Sequence, residues 1–325
     1  MLRDLYTPEE VSSMILGGDM LLLAGDADLL SRLPKGNWIG ACTTRFVIYP
    51  ERDVETSEKI FVTKLPDFVV GTTIREYDEN SIKGVFNDGP KNGFTVLIIP
   101  FGSPVSIEFS TNAVFYENFA VHPVCGCMSG DPRDPEKMFA ISGIGPDMHP
   151  NKIVAMHVSL PESKYAEIHT VNPFKQGDGD SIVFDYSGLV LEDAYINGKK
   201  RNFAEYLQEI AYDGLHLPFV ANYSGEIVSL IGNRIEGNKA LMVSPVFENI
   251  EYRIAALNDS IPEPMIERDK VFFSVSCIAN YSNPEIRARF LKQMNGPIVF
   301  GEIAYQLVGY TTVYLTINDV QNEKL

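Results

Sequence analysis

The chain has 325 residues, of which 27 are basic and 43 are acidic, so its formal net charge is −16. This balance argues against a DNA- or RNA-binding surface, which needs a concentrated basic stripe, because the longest basic run is the three residues at 199–201. Hydrophobic residues make up 45% of the chain and charged residues 22%, which excludes a largely disordered protein and predicts one large domain or two smaller ones.

The amino terminus predicts neither a secretory signal nor a membrane anchor. Asp4 lies near the start, and no apolar stretch precedes Glu9 and Glu10. The most apolar early stretch, residues 20–24, is far shorter than the roughly 20 residues that span a bilayer. The cysteines are widely scattered, which is not typical of a disulfide framework. We therefore expect a reduced, cytoplasmic protein without membrane insertion.

The first part of the chain predicts two short helices followed by strands. Thr7 caps the first helix, which has Glu10 at its third position, and Asp26 caps the second, which runs through Leu33 and is stopped by Pro34. Strands are then predicted at residues 38–44, 59–64, 68–74, 94–100, 138–142 and 152–160, with a helix over residues 110–119.

Residues 161–180 are polar and turn-rich, which predicts a boundary near residue 170. Beyond it, Asn197-Gly198 is typical of a tight hairpin turn. Helices are predicted at 203–212 and 284–294, the second capped by Asn283, and strands at 181–186, 189–196, 219–223, 226–231, 239–246, 271–279, 298–305 and 311–317.

The two parts of the chain share one order of elements. In the first, an apolar strand leads through a helix to a strand with Pro123 and Gly126; in the second, the same order leads to Pro297 and Gly301. This echo predicts an α+β protein in which two related α/β halves, with mixed and largely antiparallel sheets, pack together.

The cysteines offer two kinds of chemistry, metal binding and nucleophilic catalysis. Cys125 and Cys127 could bind a soft metal, but no CxxC or HxxxH spacing completes a zinc site, so we predict no metal and no cofactor. Cys277 ends an apolar strand, where ligands bind in α/β sheets. A nucleophile would also need a histidine, and the second half offers only His216, so burial is the favoured interpretation of Cys277.

Two charged residues stand beside apolar strands. Glu302 directly follows Gly301, and a carboxylate in such surroundings pairs with a basic residue or meets the amine of a ligand. Arg234 is of the type that holds a carboxylate with two hydrogen bonds. Two interpretations stay open at this point: an internal Arg234–Glu302 ion pair, or a site that binds both charged ends of a zwitterionic ligand.

Five short motifs follow one another between residues 36 and 317. They are Gly40-Ala41-Cys42-Thr43, Pro123…Gly126…Gly130-Asp131, Asn197-Gly198…Tyr206, Ser276-Cys277, and a tail that runs from Gly296 through Gly301-Glu302-Ile303 to a final strand. In this order they resemble the FIST domain, a predicted sensory module of prokaryotic signalling proteins. Asn280 stands where that family has an arginine, and extra helices precede Trp38. The chain is therefore similar to a divergent, stand-alone branch of the family.

The resemblance implies an N-terminal FIST-like half over residues 1–170, with the extra helices, and a C-terminal FIST-like half over residues 171–325. It implies a sensory protein that binds a small molecule, an amino acid or a related metabolite, and signals through a separate partner protein. No catalytic residue is predicted. Two alternatives stay open: a cysteine-dependent enzyme that uses Cys277 or Cys42 on a small metabolite, and a scaffold without a ligand.

The ligand site is predicted where small residues let a molecule approach the strand backbone. Such residues occur at 40–44, 125–129 and 276–280, with Arg234 and Glu302 as the charged groups. The predicted ligand-binding residues are Gly40, Cys42, Thr43, Gly126, Cys127, Arg234, Ser276, Cys277, Gly301 and Glu302.

Overall fold

The computed structural model describes residues 4–49, 52–130, 137–212, 217–223, 226–230, 232–260, 268–291 and 294–320. Its helices are α1 (Pro8–Leu16), α2 (Ala27–Leu30), α3 (Pro104–Asn112), α4 (Phe203–Glu209), α5 (Ile278–Ser282) and α6 (Pro284–Phe290), with short 3-10 helices at Ile82–Gly84, Ala113–Phe115 and Arg268–Lys270. Within this described part, no helix is long and apolar enough to cross a membrane.

The strands of the first part of the chain are β1 (Leu5–Tyr6), β2 (Leu21–Gly25), β3 (Trp38–Cys42), β4 (Arg45–Ile48), β5 (Arg52–Glu55), β6 (Ile60–Lys64), β7 (Gly71–Tyr77), β8 (Gly93–Pro100), β9 (Val124–Ser129), β10 (Ala140–Ser142), β11 (Gly145–His149), β12 (Ile153–Ser159) and β13 (Lys164–Val171). They are followed by β14 (Phe174–Gln176), β15 (Ile182–Val183), β16 (Gly188–Leu191), β17 (Asp193–Ile196), β18 (Lys199–Asn202), β19 (Phe219–Tyr223), β20 (Glu226–Leu230), β21 (Gly232–Glu236), β22 (Lys239–Val246) and β23 (Glu251–Leu257). The last are β24 (Val271–Cys277), β25 (Gly296–Val299), β26 (Glu302–Ala304), β27 (Gln306–Val308) and β28 (Thr312–Asp319).

These strands form five sheets, named I to V here. Sheet I has the order β1-β6-β2-β3-β10-β11, sheet II β27-β26-β9-β8-β12-β7 and sheet III β13-β28-β24-β25-β4-β5. Sheet IV has the order β18-β17-β15-β23-β19-β20, with β14 also paired to β23, and sheet V is β16-β22-β21. With 17% helix and 47% strand in mixed sheets, the structure confirms the predicted α+β class.

Three strand pairs are parallel: β2 with β3, β8 with β9, and β24 with β25. A parallel pair needs a crossover, and helices provide it in each case: α2, α3, and α5 with α6. The echo seen in the sequence therefore corresponds to two strand–helix–strand units, one in sheet II and one in sheet III. The other pairs in the described ranges are antiparallel.

Both sides of the predicted boundary contribute strands to sheets II and III. β26 and β27 join β7, β8, β9 and β12 in sheet II, and β24, β25 and β28 join β4, β5 and β13 in sheet III. The boundary at residue 170 falls at the end of β13, but only the stretch from β14 to β23 forms the separate sheets IV and V, with its own core. After β23 the chain returns to sheets II and III, so residues 171–325 are not one structural unit.

Local sequence signals produced the expected geometry. The Thr7 hydroxyl accepts a hydrogen bond from the Glu10 N–H at 3.3 Å, and the Glu10 carboxylate accepts one from the Thr7 N–H at 2.8 Å. This is the reciprocal cap predicted for α1. Asn197 (φ 49°) and Gly198 (φ 77°) form the two-residue turn between β17 and β18, which confirms the predicted hairpin.

Several elements differ from the sequence prediction. The strand expected over 189–196 is two strands, β16 in sheet V and β17 in sheet IV, and the strand expected over 271–279 ends at Cys277, where α5 follows. The helix expected over 110–119 is α3, which begins at Pro104 because the Ser103 hydroxyl caps it. β13 lies inside the stretch interpreted as turn-rich. The strand expected over 298–305 is two strands, β25 and β26, separated by Phe300-Gly301, and the two belong to different sheets.

A large apolar core lies where sheets I, II and III meet. It contains Ile39 from sheet I, Val96 and Ile98 from sheet II, and Val275 and Val313 from sheet III, each 4% exposed or less. All eight residues of β8 are buried, as the continuous apolar run predicts. Each such aliphatic side chain contributes about 1.5–3 kcal/mol to folding, so this core fixes the positions of the strand ends described below.

A chain of hydrogen bonds crosses the interior of sheet II. The Tyr77 hydroxyl donates to Asp88 at 2.8 Å and lies 2.9 Å from Nε2 of His157. The Thr95 hydroxyl lies 2.7 Å from Nδ1 of His157 and 2.9 Å from Nε2 of His122. Burial lowers the pKa of both His122 and His157 to about 4, so both rings are neutral at physiological pH.

These histidines should make the protein sensitive to acid. The unfolded chain binds their protons below about pH 6.5, whereas the folded chain binds them only near pH 4, so stability falls as the pH drops through this window. The loss reaches at most about 1.4 kcal/mol per pH unit for each histidine. Urea unfolding at several pH values, followed by the fluorescence of the single tryptophan, Trp38, measures it. A His122→Gln/His157→Gln variant with the same pH slope as the wild type would contradict this assignment.

Candidate functional site

The carboxyl ends of β3, β9 and β25 meet at one place in the fold. The Cys42 N–H donates to the Ser129 hydroxyl at 2.6 Å, and the Gly130 N–H donates to the Cys42 carbonyl at 2.9 Å. The Thr43 hydroxyl donates to the Ile298 carbonyl at 2.6 Å. The three parallel strand pairs thus bring their carboxyl ends together, which is the edge at which α/β sheets bind ligands.

At Phe300-Gly301 the chain passes from sheet III to sheet II. The Met128 N–H donates to the Gly301 carbonyl at 2.8 Å, and β26 then pairs with β9, placing Glu302 directly opposite Cys127. Directly opposed residues of an antiparallel pair have their side chains on the same face. The carboxyl group of Glu302 is therefore carried into the interior beside a thiol.

Glu302 is fully buried, and neither of its carboxyl oxygens has a hydrogen-bond partner among the described residues. Burial raises the pKa of this carboxyl well above its usual value, against a smaller opposing effect of the nearby Thr311 N–H and of its own N–H. Burial raises the pKa of the Cys127 and Cys277 thiols as well. The group is therefore a neutral carboxylic acid among neutral thiols.

A pocket of about 450 Å³ lies next to this cluster. One wall comes from the strand ends of the central sheets: Phe101, Cys277, Ile278, Ala279, Phe300 and Tyr310. The opposite wall comes from α4, the segment after it, β19 and the β21–β22 hairpin: Leu207, Tyr212, Phe219, Gly232, Arg234, Ile235, Ala240, Leu241, Met242 and Val243. The pocket is thus closed by the stretch that forms sheets IV and V.

Two stacked aromatic pairs form much of the apolar lining of the pocket. Phe101 and Phe300 have ring centroids 4.6 Å apart, and Tyr212 and Phe219 have centroids 4.4 Å apart. All four side chains line the pocket. Rings arranged in this way offer flat apolar surfaces, which favour an aromatic or otherwise planar apolar guest.

The structure divides the predicted site residues into two groups. Cys277 and Arg234 line the pocket. The others lie outside the lining and support it: Gly40, Cys42, Thr43, Gly126, Cys127, Ser276, Gly301 and Glu302, all of them buried. The Ser276 hydroxyl, for instance, lies 2.8 Å from that of Thr312 and joins β24 to β28.

Arg234 and Glu302 do not meet. Arg234 lies on β21 with its side chain 56% exposed, and it forms an ion pair with Glu236 in which Nε and Oε1 are 2.6 Å apart. Glu302 is fully buried in the central sheets. The internal ion pair is therefore not formed, and the proposed zwitterion site lacks its anion, because the pocket that Arg234 lines does not include Glu302.

Sequence reasoning missed the aromatic lining. Phe101 and Phe300 each directly follow an apolar strand, β8 or β25, and their position at a strand end was the available signal. Tyr212, Phe219 and Met242 carry no such signal, because they reach the pocket only through the long-range packing of sheets IV and V.

The Cys277 thiol is not prepared for nucleophilic attack, since burial raises its pKa and favours the protonated thiol. All four cysteines are free and buried. His216, the histidine of the second half, lies outside the described residues. In the part of the chain that is described, no group of His, Cys, Asp and Glu side chains is arranged to hold a metal ion.

Fold and site together define an α+β protein with a ligand-sized pocket at the ends of parallel strands. Over residues 6–318 the chain matches the profile described as "Family of unknown function (DUF6976)", and it belongs to that family. No curated protein matches the chain. Nothing in the match links the chain to the FIST domain, so that resemblance stays a prediction.

Proposed function

We propose that the protein binds a small, largely apolar molecule in the pocket between the central sheets and the β21–β22 hairpin. The observation that carries this proposal is the pocket itself, of about 450 Å³, with two stacked aromatic pairs in its walls. Ligand sites in proteins have volumes of roughly 300–1,000 Å³ and are mostly apolar, with few polar groups. Its place at the ends of parallel strands supports the same function.

A sensory role fits this proposal. Binding in a pocket closed by sheets IV and V would couple the ligand to the position of residues 174–257, and a signalling partner in the cytoplasm could read that change. The FIST resemblance supports this part of the proposal. An enzyme that uses Cys277 is less well supported, because the raised pKa keeps its thiol protonated.

Filling the pocket should abolish binding. Gly232 lines the pocket, and apart from its own chain neighbours no atom of the described residues lies within 4 Å of the place where a Cβ would lie, so Gly232→Leu adds a side chain at low cost in strain. The probe is indole-3-propionamide, which is neutral. With about 14 non-hydrogen atoms at about 0.3 kcal/mol each, its dissociation constant should be near 1 mM.

The matched control is Gly71→Leu. Gly71 also begins a strand, β7, and also has open space at its Cβ position, but it does not line the pocket. Calorimetric titration should show binding to the wild type and to Gly71→Leu, and at least about tenfold weaker binding to Gly232→Leu. Equal binding to all three folded proteins would show that the probe binds elsewhere and would refute the proposal.

A further inference from the structure

Arg234 gives the pocket a positively charged rim. Its Nε donates to Glu236, while Nη1 and Nη2 form no hydrogen bond with any residue that the structure describes. Those two nitrogens form the end of the guanidinium group, which can hold a carboxylate by two parallel hydrogen bonds. Arg234 therefore lines an aromatic pocket with two of its guanidinium nitrogens available for hydrogen bonds. Such a cation fits a ligand with one anionic group.

Among the described residues that line the pocket, none is an anion that could pair with an amine. The sequence predicts that Glu302 binds the amine of the ligand, but this carboxyl is fully buried outside the pocket lining. Glu236 is already paired with Arg234 at the rim. Burying the ammonium group of a zwitterion against the aromatic walls would cost its hydration without a carboxylate partner. The lining therefore discriminates between an acid and an amino acid.

We propose that the ligand is an aromatic carboxylic acid. Its ring packs on the Phe101–Phe300 and Tyr212–Phe219 pairs, and its carboxylate binds Nη1 and Nη2 of Arg234. This inference rests on the proposed function of the pocket and specifies the chemical class of its ligand. Glu236 binds Nε of the same guanidinium group, so its negative charge lies close to the carboxylate of the ligand and repels it. It therefore limits the affinity for the acid.

Three probes with the same ring system test the class: indole-3-propionate, indole-3-propionamide and L-tryptophan. By calorimetric titration of the full chain, we expect the acid to bind about tenfold more tightly than the amide, because a hydrogen bond to a charged group is worth more than one to a neutral group. L-Tryptophan should bind more weakly than the acid. Glu236→Gln should tighten binding of the acid by up to about fivefold, the range of an exposed ion pair.

Arg234→Met keeps the aliphatic part of the side chain and removes the charge. The acid should therefore bind to this variant no more tightly than the amide does. The control is Arg253→Met. Arg253 forms the same kind of ion pair, with Glu251 two residues away at 2.8 Å, but it does not line the pocket. Arg253→Met should keep the tenfold preference for the acid.

The outcomes separate this inference from the proposed function. Binding of the acid and the amide with equal affinity would refute the acid class and leave the pocket as a ligand site. Tryptophan binding as tightly as the acid would refute it too, because the amine would then have a partner. If neither the acid nor the amide bound, the proposed function itself would be wrong.

Discussion

Replacing Gly126 by alanine should lower the free energy of unfolding by more than about 4 kcal/mol, or prevent folding altogether. Gly126 has φ 147°, and a Cβ there would lie 1.9 Å from the Leu97 carbonyl oxygen and 2.7 Å from the Leu97 nitrogen. Both atoms belong to the backbone of β8, the neighbouring parallel strand, so neither can move without separating the strands. The glycine that sequence reasoning assigned to the ligand site therefore maintains the close approach of β8 and β9.

A matched control is Gly18→Ala. Gly18 also has a positive φ, 90°, but no atom lies within 4 Å of its Cβ position. This substitution carries only the backbone strain, about 1–2 kcal/mol. Urea unfolding followed by Trp38 fluorescence compares the two variants. A Gly126→Ala protein that lost no more stability than Gly18→Ala would show that β8 and β9 are not packed as described.

Replacing Glu302 by glutamine should stabilise the protein progressively as the pH rises. The pKa of Glu302 is raised by burial, so above about pH 4.5 the unfolded chain releases a proton that the folded chain keeps. The contribution of Glu302 to the stability of the wild type therefore falls as the pH rises, by up to about 1.4 kcal/mol per pH unit, until the folded carboxyl ionises. Glutamine has nearly the same shape and does not titrate, so this loss disappears.

The control for Glu302→Gln is a variant of a carboxyl group whose pKa is shifted in the opposite direction. Burial of Glu76 favours its neutral form, but hydrogen bonds from Lys152 and Ser142 outweigh burial, and its pKa is lowered. Glu76→Gln should therefore remove stability that is present above about pH 4.5. Denaturant unfolding between pH 4.5 and 8 measures both variants. A constant difference between Glu302→Gln and the wild type across this range would mean that Glu302 is ionised in the folded protein.

Short sequence motifs predicted the elements well where interactions between residues close in the chain determine the structure. Thr7 with Glu10 predicted the cap of α1, and Asn197-Gly198 predicted a hairpin turn, because side chains and backbone within a few residues decide both. The cap of α3 was also readable from Ser103-Pro104, but the apolar spacing further along the chain favoured a later helix.

Pairing between distant segments could not be predicted in the same way. A run such as residues 296–304 is apolar except for Glu302 whether it forms one strand or two, and only the positions of β9 and β24 decide that it changes sheets at Phe300-Gly301. The same holds for the site. Glu302 was singled out correctly as a carboxyl in apolar surroundings, but its isolation from Arg234 depends on where the β21–β22 hairpin packs.

The most direct test of the ligand pocket is NMR of protein labelled at the methionine methyl groups. Met242 lines the pocket, whereas Met156 is fully buried in the core between the sheets and serves as the internal control. Added indole-3-propionate, at up to about 1 mM, should shift the Met242 signal saturably through the ring current of the indole and leave Met156 unchanged, and the amide at about 1 mM should produce about half of its full shift. No shift of Met242 with either compound, in a folded protein, would contradict the account.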